Sequence, residues 1–272
     1  YIEKININGN FNTLEEVIRN NLIVDEGDPF NEILFNKSVN NIQSLGIFKK
    51  VKTDIKDGSN NSFKKIDINV EERPTGEISV TAGFGTTGET IGAGIKENNF
   101  LGKGIKLNTN FELTSDSIKG QFIYAKPNFN YSDNTLFTSI KSSTSDFLTD
   151  SGYKTSEIGF SLGTKFEQFQ NIFLSPEIDF LIEDLETTSD ASNILKKQEG
   201  SYTDLYFNYS INQDLRDKKF RTEDGYVTTF SQELPLVSDN SEISNAFEIT
   251  NYKKLSSRSD MVGKISFFGK TI

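Results

Sequence analysis

TGEISVTAGFGTTGETIGAGIKENNFLGKGIKLNTNF, residues 75–111, decides the fold. Ile78, Val80, Ala82 and Phe84 alternate with Ser79, Thr81, Gly83 and Gly85. Past a short polar turn, Ile91, Ala93 and Ile95 alternate with Gly92, Gly94 and Lys96. Past a second turn, Ile105, Leu107, Thr109 and Phe111 alternate with Lys106, Asn108 and Asn110. A period of two marks strands with one apolar and one polar face. The joins are short, which predicts antiparallel neighbours. Gly83, Gly85 and Gly88 also stand at the spacing of a dinucleotide-binding turn. That motif needs a helix next, its free N–H groups facing a pyrophosphate. Here another alternating strand follows, so the glycines read as small residues that let strands bend.

Downstream of this stretch the pattern only repeats. Strands are predicted near 118–124, 136–141, 155–166, 172–181, 202–212, 226–234, 243–252 and 261–268, about eleven in all from residue 77 onward. Several reach nine to eleven residues, enough to cross a bilayer at a tilt. The joins over 98–103, 128–133 and 167–171 read as short, those over 144–153 and 185–201 as long and acidic. Short turns on one rim and long loops on the other fit an outer-membrane barrel. Phe100 and Tyr131 lie beside short turns, where an aromatic belt would sit.

Upstream the reading differs. A strand over 1–8 ends at Gly9, and Thr13 with Glu16 has capping-box spacing for a first helix with Leu14, Val17, Ile18 and Leu22 on one face. After the turn Glu26-Gly27-Asp28-Pro29, a second helix carries Ile33, Leu34, Val39, Ile42 and Leu45, and Gly46 stops it. Strands follow over 47–56, with Phe48 on the apolar side, and over 66–70. The order β-α-α-β-β in residues 1–73 predicts a small α+β domain of three strands and two helices. Pro74 and Gly76 then break the chain before the strand-only region of residues 77–272.

Composition removes whole classes of function. There is no Cys and no His, so no thiol nucleophile, no disulfide, no imidazole base and no imidazole metal ligand. A formal charge of -10 without a basic cluster argues against nucleic acid. No apolar run is long enough for a transmembrane helix, which leaves a transmembrane barrel allowed, since its strands only alternate. Glu26 and Asp28 read as turn residues rather than an acid–base pair. Glu71 and Glu72 point to opposite sides of a strand. No enzyme, cofactor or metal site is expected.

Further residues carry a resemblance. YIEKININGN at 1–10, EGD at 26–28, SLGIFKKV at 44–51 and INVEERPTGEIS at 68–79 resemble a POTRA domain and its junction to a barrel. GIKENNFLGKG at 94–104 resembles the turn after the second barrel strand, and QDLRDKKFRTEDG at 213–225 a later turn of the Omp85 superfamily. In that later turn Arg216, Asp217, Phe220 and Gly225 match, while Arg221 replaces the usual proline. The resemblance covers the whole chain. It implies a sixteen-stranded barrel of which this chain holds about eleven strands, as part of a longer protein. The family's Arg-Gly-Phe or Arg-Gly-Tyr loop would lie past Ile272.

The resemblance implies outer-membrane β-barrel assembly, with the POTRA domain in the periplasm. The implied partners are unfolded outer-membrane barrel substrates, assembly-machine lipoproteins and outer-membrane lipid. The first barrel strand, with Ile78, Ser79, Val80, Thr81, Ala82, Gly83, Phe84 and Gly85, would form the seam and template incoming strands through its backbone. Gly46, Phe48, Gly76, Arg216, Asp217 and Gly225 are expected to be structural. Two alternatives stay open: an Omp85-type secretion pore of a two-partner system, and a β-rich binding module outside any membrane.

Overall fold

The computed structural model describes residues 1–60, 62–85, 88–218, 222–238, 242–256 and 261–272. The chain divides into two compact units, residues 1–77 with 96–107, and residues 78–95 with 108–272.

The first unit contains β1 (Ile2–Asn8), α1 (Glu15–Arg19), α2 (Glu32–Ser44), β2 (Phe48–Asp57) and β3 (Lys64–Glu72). The sheet order is β1-β3-β2, with β1 parallel and β2 antiparallel to β3. Its core is Ile2, Ile5, Ile18, Val24, Phe35, Ile42, Ile47, Phe48, Ile66, Ile68 and Val70, one apolar face of the sheet packed under the helices.

Two helix details differ from the sequence reading. Thr13 does not cap α1: Leu14 stands at the N-cap with no side-chain bond. Thr13 is instead 3% exposed, with its N–H on Glu72 Oε1 at 2.7 Å and its hydroxyl accepting from Asn99 Nδ2 at 2.9 Å. Tertiary partners have taken both capping groups. In α2 the buried stripe is Phe35, Ser38 and Ile42, while Ile33 is 80% exposed. Asn31 sets this phase, because its Oδ1 accepts from Ile33 and Leu34 N–H and starts the helix there.

Eleven strands among the described residues make the second sheet. They are β4 (Gly76–Gly85), β5 (Gly88–Phe100), β6 (Ile105–Thr114), β7 (Ser117–Lys126), β8 (Thr135–Phe147) and β9 (Tyr153–Phe169). The series continues with β10 (Ile172–Thr187), β11 (Gly200–Asp214), β12 (Asp224–Val237), β13 (Ser244–Lys254) and β14 (Val262–Thr271). Their spatial order is their chain order, so the sheet is an open meander with β4 and β14 at its edges. The glycines at dinucleotide-binding spacing lead into a strand, as expected: Gly88 opens β5.

Strands run further than the alternation suggested. β8 extends to Phe147 and β10 to Thr187, so the join after β8 is only residues 148–152. The contrast of short and long rims is correspondingly weaker than expected. Residues 188–199 remain the longest join and hold the short helix α3 (Asn193–Lys197). Phe100, Phe129 and Phe169 are exposed at the joins β5/β6, β7/β8 and β9/β10. The side chain of Tyr131 lies outside the described residues, as do Phe220 and Arg221.

Candidate functional site

Alternation alone does not say which face of a sheet meets water. The structure does. In β9, Gly159, Ser161 and Gly163 are buried while Ile158, Phe160 and Leu162 are exposed. Ser161 is 3% exposed between two neighbours at 47% each. The covered face is largely polar, with Phe137 and Leu181 among its few apolar side chains. Ser161 Oγ meets Ser139 Oγ at 2.8 Å, and Lys141 Nζ lies 2.9 Å from Glu157 and 4.0 Å from Asp179. Glycines on that face make room: a side chain at Gly159 would strike Lys141, and one at Gly163 the Phe137 ring. The uncovered face carries Ile91, Phe111, Ile118, Ile140, Phe180, Phe247 and Phe267. Polar inside and apolar outside is the arrangement of a transmembrane barrel wall.

β4 is the terminal strand of this wall. Ile78, Val80 and Phe84 are 79%, 77% and 88% exposed, more than outward residues of the central strands, because β4 has a neighbour on one side only. Its inner face is light. Nothing lies within 4 Å of a side chain placed at Gly83, and on β5 the bare Gly94 faces Ser79. An edge with free backbone groups and little side-chain packing is suited to pairing with another strand.

The root of β4 is built differently. Gly76 begins the strand beside the Glu97 carboxylate, and Asn98 N–H donates to Thr75 O at 3.3 Å. Gly46 ends α2 with φ +71°, and its carbonyl accepts from Arg73 Nε at 2.6 Å. Phe48, at 6% exposure, anchors β2 in the core. Glu26 Oε1 accepts from Ile5 N–H at 3.0 Å and Asp28 Oδ2 from Asp25 N–H at 2.8 Å, so both carboxylates are occupied in the turn and along the β1 edge. Glu71 and Glu72 do separate: the first pairs with Lys49, the second with loop residues Asn12 and Thr13.

In the β11/β12 join Arg216 and Asp217 do not pair with each other. Arg216 makes a two-pronged bond to Asp214 at 2.8 and 2.7 Å. Asp217 Oδ1 accepts from Glu223 and Asp224 N–H at 3.0 and 3.1 Å. Hydrogen bonds from the Asp224 and Glu223 backbone hold the Asp217 carboxyl below its ordinary value against the opposing effect of burial. Gly225, with φ +103°, leaves no room for a side chain beside Leu215 O.

One set of residues was not brought together by the sequence reading: Glu72, Asn12, Thr13 (read there as a helix cap), Asn99, Gly102 and Gly104. Its sequence signal is the pair Gly102-x-Gly104 after Asn99, a turn with tighter demands than a hairpin of this length needs.

Residues 99–269 match the family model described as the Omp85 superfamily domain, and residues 1–73 match the POTRA model, described as a surface antigen variable number repeat. This chain belongs to the Omp85 superfamily. It is 28% identical over 132 residues to outer membrane protein assembly factor BamA of Neisseria meningitidis serogroup B, 47% of this chain and 16% of that protein. In fold it is similar to BamA from Haemophilus ducreyi lacking POTRA domains 1–3, with a TM-score of 0.71 and 21% identity over 99% of this chain and 55% of that one. CdiB from Acinetobacter baumannii has a TM-score of 0.62 at 13% identity, covering 99% of this chain and 52% of that one. The chain thus spans about half of these two solved structures and a small part of the curated relative. An Omp85 chain with a BamA-like incomplete barrel accounts for the inverted sheet and for both of its open edges.

Proposed function

We propose that the parent protein assembles and inserts β-barrel proteins in the bacterial outer membrane, with its POTRA domain in the periplasm and β4 as the seam strand. On this reading residues 1–73 are a POTRA domain and residues 77–272 the first part of a sixteen-stranded barrel. Its partners are unfolded barrel proteins, assembly lipoproteins and the surrounding lipid. No chemistry on a bound small molecule is involved. The observation that carries the reading is a sheet whose apolar face is outside and whose first strand, β4, has a light inner face. An incoming strand would take the free N–H and C=O groups of β4, gaining hydrogen bonds that lipid cannot supply. Because Ser79, Ala82, Gly83 and Gly85 are small, the backbone carries the recognition and many sequences can be accepted.

Complementation by the full-length parent tests this. Proline at alternate positions over 78–85 removes an N–H from the open edge and should abolish assembly, whereas Val80→Ile should be silent. Crosslinkers at the same positions should capture nascent barrels. Uniform tolerance of proline with no crosslinks would reduce β4 to a wall. The rival Omp85 reading, a secretion pore for one partner, predicts crosslinks to that single protein only.

A further inference from the structure

The first compact unit exposes apolar side chains as well as burying them. Phe11, in the loop between β1 and α1, is 92% exposed, and Leu14 of the same loop is exposed too. Leu101, in the β5/β6 turn of the same unit, is 70% exposed, with Phe100 exposed beside it. Loop and turn are neighbours. Leu14 N–H donates to Gly102 O at 2.8 Å, and Asn99 Nδ2 to Thr13 Oγ1 at 2.9 Å. A side chain at Gly102 would run into the Asn12 carbonyl oxygen, so the residues that follow Phe11 and Leu101 meet backbone to backbone. These side chains therefore belong to one surface of one unit, unlike the single exposed hydrophobics found on any protein.

Strain and charge set this surface apart. Leu101 has φ +56°, a left-handed conformation that glycine adopts freely and leucine does not. The turn fixes it there: Gly102 N–H donates to Asn99 O at 2.9 Å, and Asn99 Oδ1 accepts from Gly104 N–H at 2.8 Å. Strained backbone is thus kept at a position whose apolar side chain stays outside the protein. Residues 5–14 and 98–102 carry no charge, in a chain that is 25% charged. Glu72, which reaches the loop, is turned onto its backbone and accepts from Asn12 and Thr13 N–H at 3.0 and 2.7 Å. The charged residue of the turn is the exposed cation Lys103.

We infer that Phe11, Leu14, Phe100 and Leu101 enter the lipid at headgroup level, so that a loop of the α/β fold is itself a membrane anchor. Continuity selects lipid over a protein partner. Phe100 ends β5, a strand whose Ile91 and Ile95 are exposed on the apolar outer face. In a meander the joins β5/β6, β7/β8 and β9/β10 fall on one rim, and Phe100, Phe129 and Phe169 are exposed there in turn. Aromatic rings on a barrel rim sit at the boundary of the bilayer. Phe11 extends that girdle onto a loop that is bound to the turn. Uncharged backbone with its groups paired, an exposed ring and leucine, and a lysine for the phosphates fit the boundary between headgroups and acyl chains. This goes beyond barrel assembly and requires only that the second sheet is a membrane wall.

The test uses the full-length parent in vesicles of phosphatidylethanolamine and phosphatidylglycerol, with one nitroxide at a time on an introduced cysteine. Residues 1–272 contain no cysteine, and any elsewhere in the parent is replaced first. Relaxation of the nitroxide by oxygen, which concentrates in lipid, is compared with relaxation by a water-soluble nickel chelate. Phe11→Cys and Leu101→Cys should give an oxygen-to-nickel ratio several-fold above that of Ser59→Cys. Ser59 is exposed in the β2/β3 turn, at the end of β3 away from Glu72. Ile140→Cys, on the outer face of β8, sets the depth scale and should report a deeper position than residue 11. Phe11 and Leu101 are so exposed that labelling them removes little packing. A nickel-dominated label at residue 11, with oxygen dominant at residue 140, overturns the anchor and leaves the wall standing. Exclusion of both reagents at residue 11 means that protein covers Phe11, and it overturns the anchor as well. Nickel dominance at residue 140 overturns the wall and the anchor together. None of these readings uses assembly activity, so the role of β4 does not enter the result.

Discussion

β3 and β9 have the same alternation and opposite burial. In β3, Ile66, Ile68 and Val70 are buried while Asn69 and Glu71 are exposed. In β9, Gly159, Ser161 and Gly163 are buried while Ile158, Phe160 and Leu162 are exposed. The first strand sits in a domain that removes its own apolar surface from water under two helices. The second needs a lipid phase to do so. The hydrophobic effect drives both, but only β3 finds its apolar partner within the chain. One consequence is that stability has different sources in the two regions. Side-chain packing dominates in the α/β domain, and in the sheet the backbone ladder and its polar inner face do.

The strongest way to break that comparison is to remove a core ring. Phe35 is 2% exposed and touches the helix–sheet core. Phe35→Ala should cost about 3–5 kcal/mol, from lost burial plus the cavity left behind. Urea unfolding of the parent, followed by a probe in the POTRA domain, reads this. Phe160→Ala, on the outer face of β9, leaves no protein cavity and should hardly move the midpoint in detergent. Equal losses in the two would mean that the outer face of the sheet is packed against protein.

A charge sharpens the same contrast within the sheet. Leu162, near the middle of β9 and 47% exposed, faces outward. Leu162→Arg should cost about 2–4 kcal/mol of insertion free energy in a bilayer. Asn110→Arg, on the inner face of β6 opposite Gly94, should leave insertion nearly unchanged. Folding into lipid vesicles with urea titration measures both. If the inner substitution were the more damaging, the faces would be assigned the wrong way round.

Much of this fold was legible in residues 75–111, because alternation and short turns are local properties. The number of strands in the second sheet and the small α+β domain could be read that way. Which face meets lipid could not be read from the period, since a soluble sandwich alternates identically. The phase of α2 was misread at Ile33 and Leu34, where Asn31 fixes the start of the helix and turns Phe35 inward. The lost capping box at Thr13 has a similar cause: its partners, Glu72 and Asn99, are 59 and 86 residues away along the chain. The bond from Asn99 to Thr13 stayed hidden for the same reason. Tight turns announce themselves by glycine, but what they press against is a tertiary fact. Residues 78–85 were legible as a light strand, and their place at one end of the sheet came from the sheet order.

Gly46 gives a smaller effect, confined to the POTRA side. Its φ of +71° lies where a β-branched residue is strained, and its carbonyl is held by Arg73. Gly46→Val should therefore cost more than the roughly 1 kcal/mol of an ordinary propensity change, without altering the sheet. Thermal unfolding of the two regions, read separately, would show the loss in the α/β domain alone. A matching loss in the sheet would mean that the two regions do not unfold independently.

The smallest predicted effect is a pH dependence, and it also belongs to the α/β side. Burial raises the Glu72 carboxyl, but hydrogen bonds from Thr13 and Asn12 outweigh it, so the group ends below the ordinary glutamate value. A depressed folded-state value means the unfolded chain binds the proton first. The contribution of Glu72 is then complete above about pH 4.3, the unfolded value, and is lost as the pH falls through the lower folded one. Glu72→Gln cannot accept the same set of bonds and has nothing to titrate. The difference in melting temperature between parent and variant should stay constant from pH 8 to about pH 5 and shrink below about pH 4.3. The probe must lie in the POTRA domain, because carboxylates elsewhere titrate over the same range. A difference that already closes between pH 7 and 6, or that persists unchanged into strong acid, would show that the loop between β1 and α1 is held by something other than the ionised Glu72.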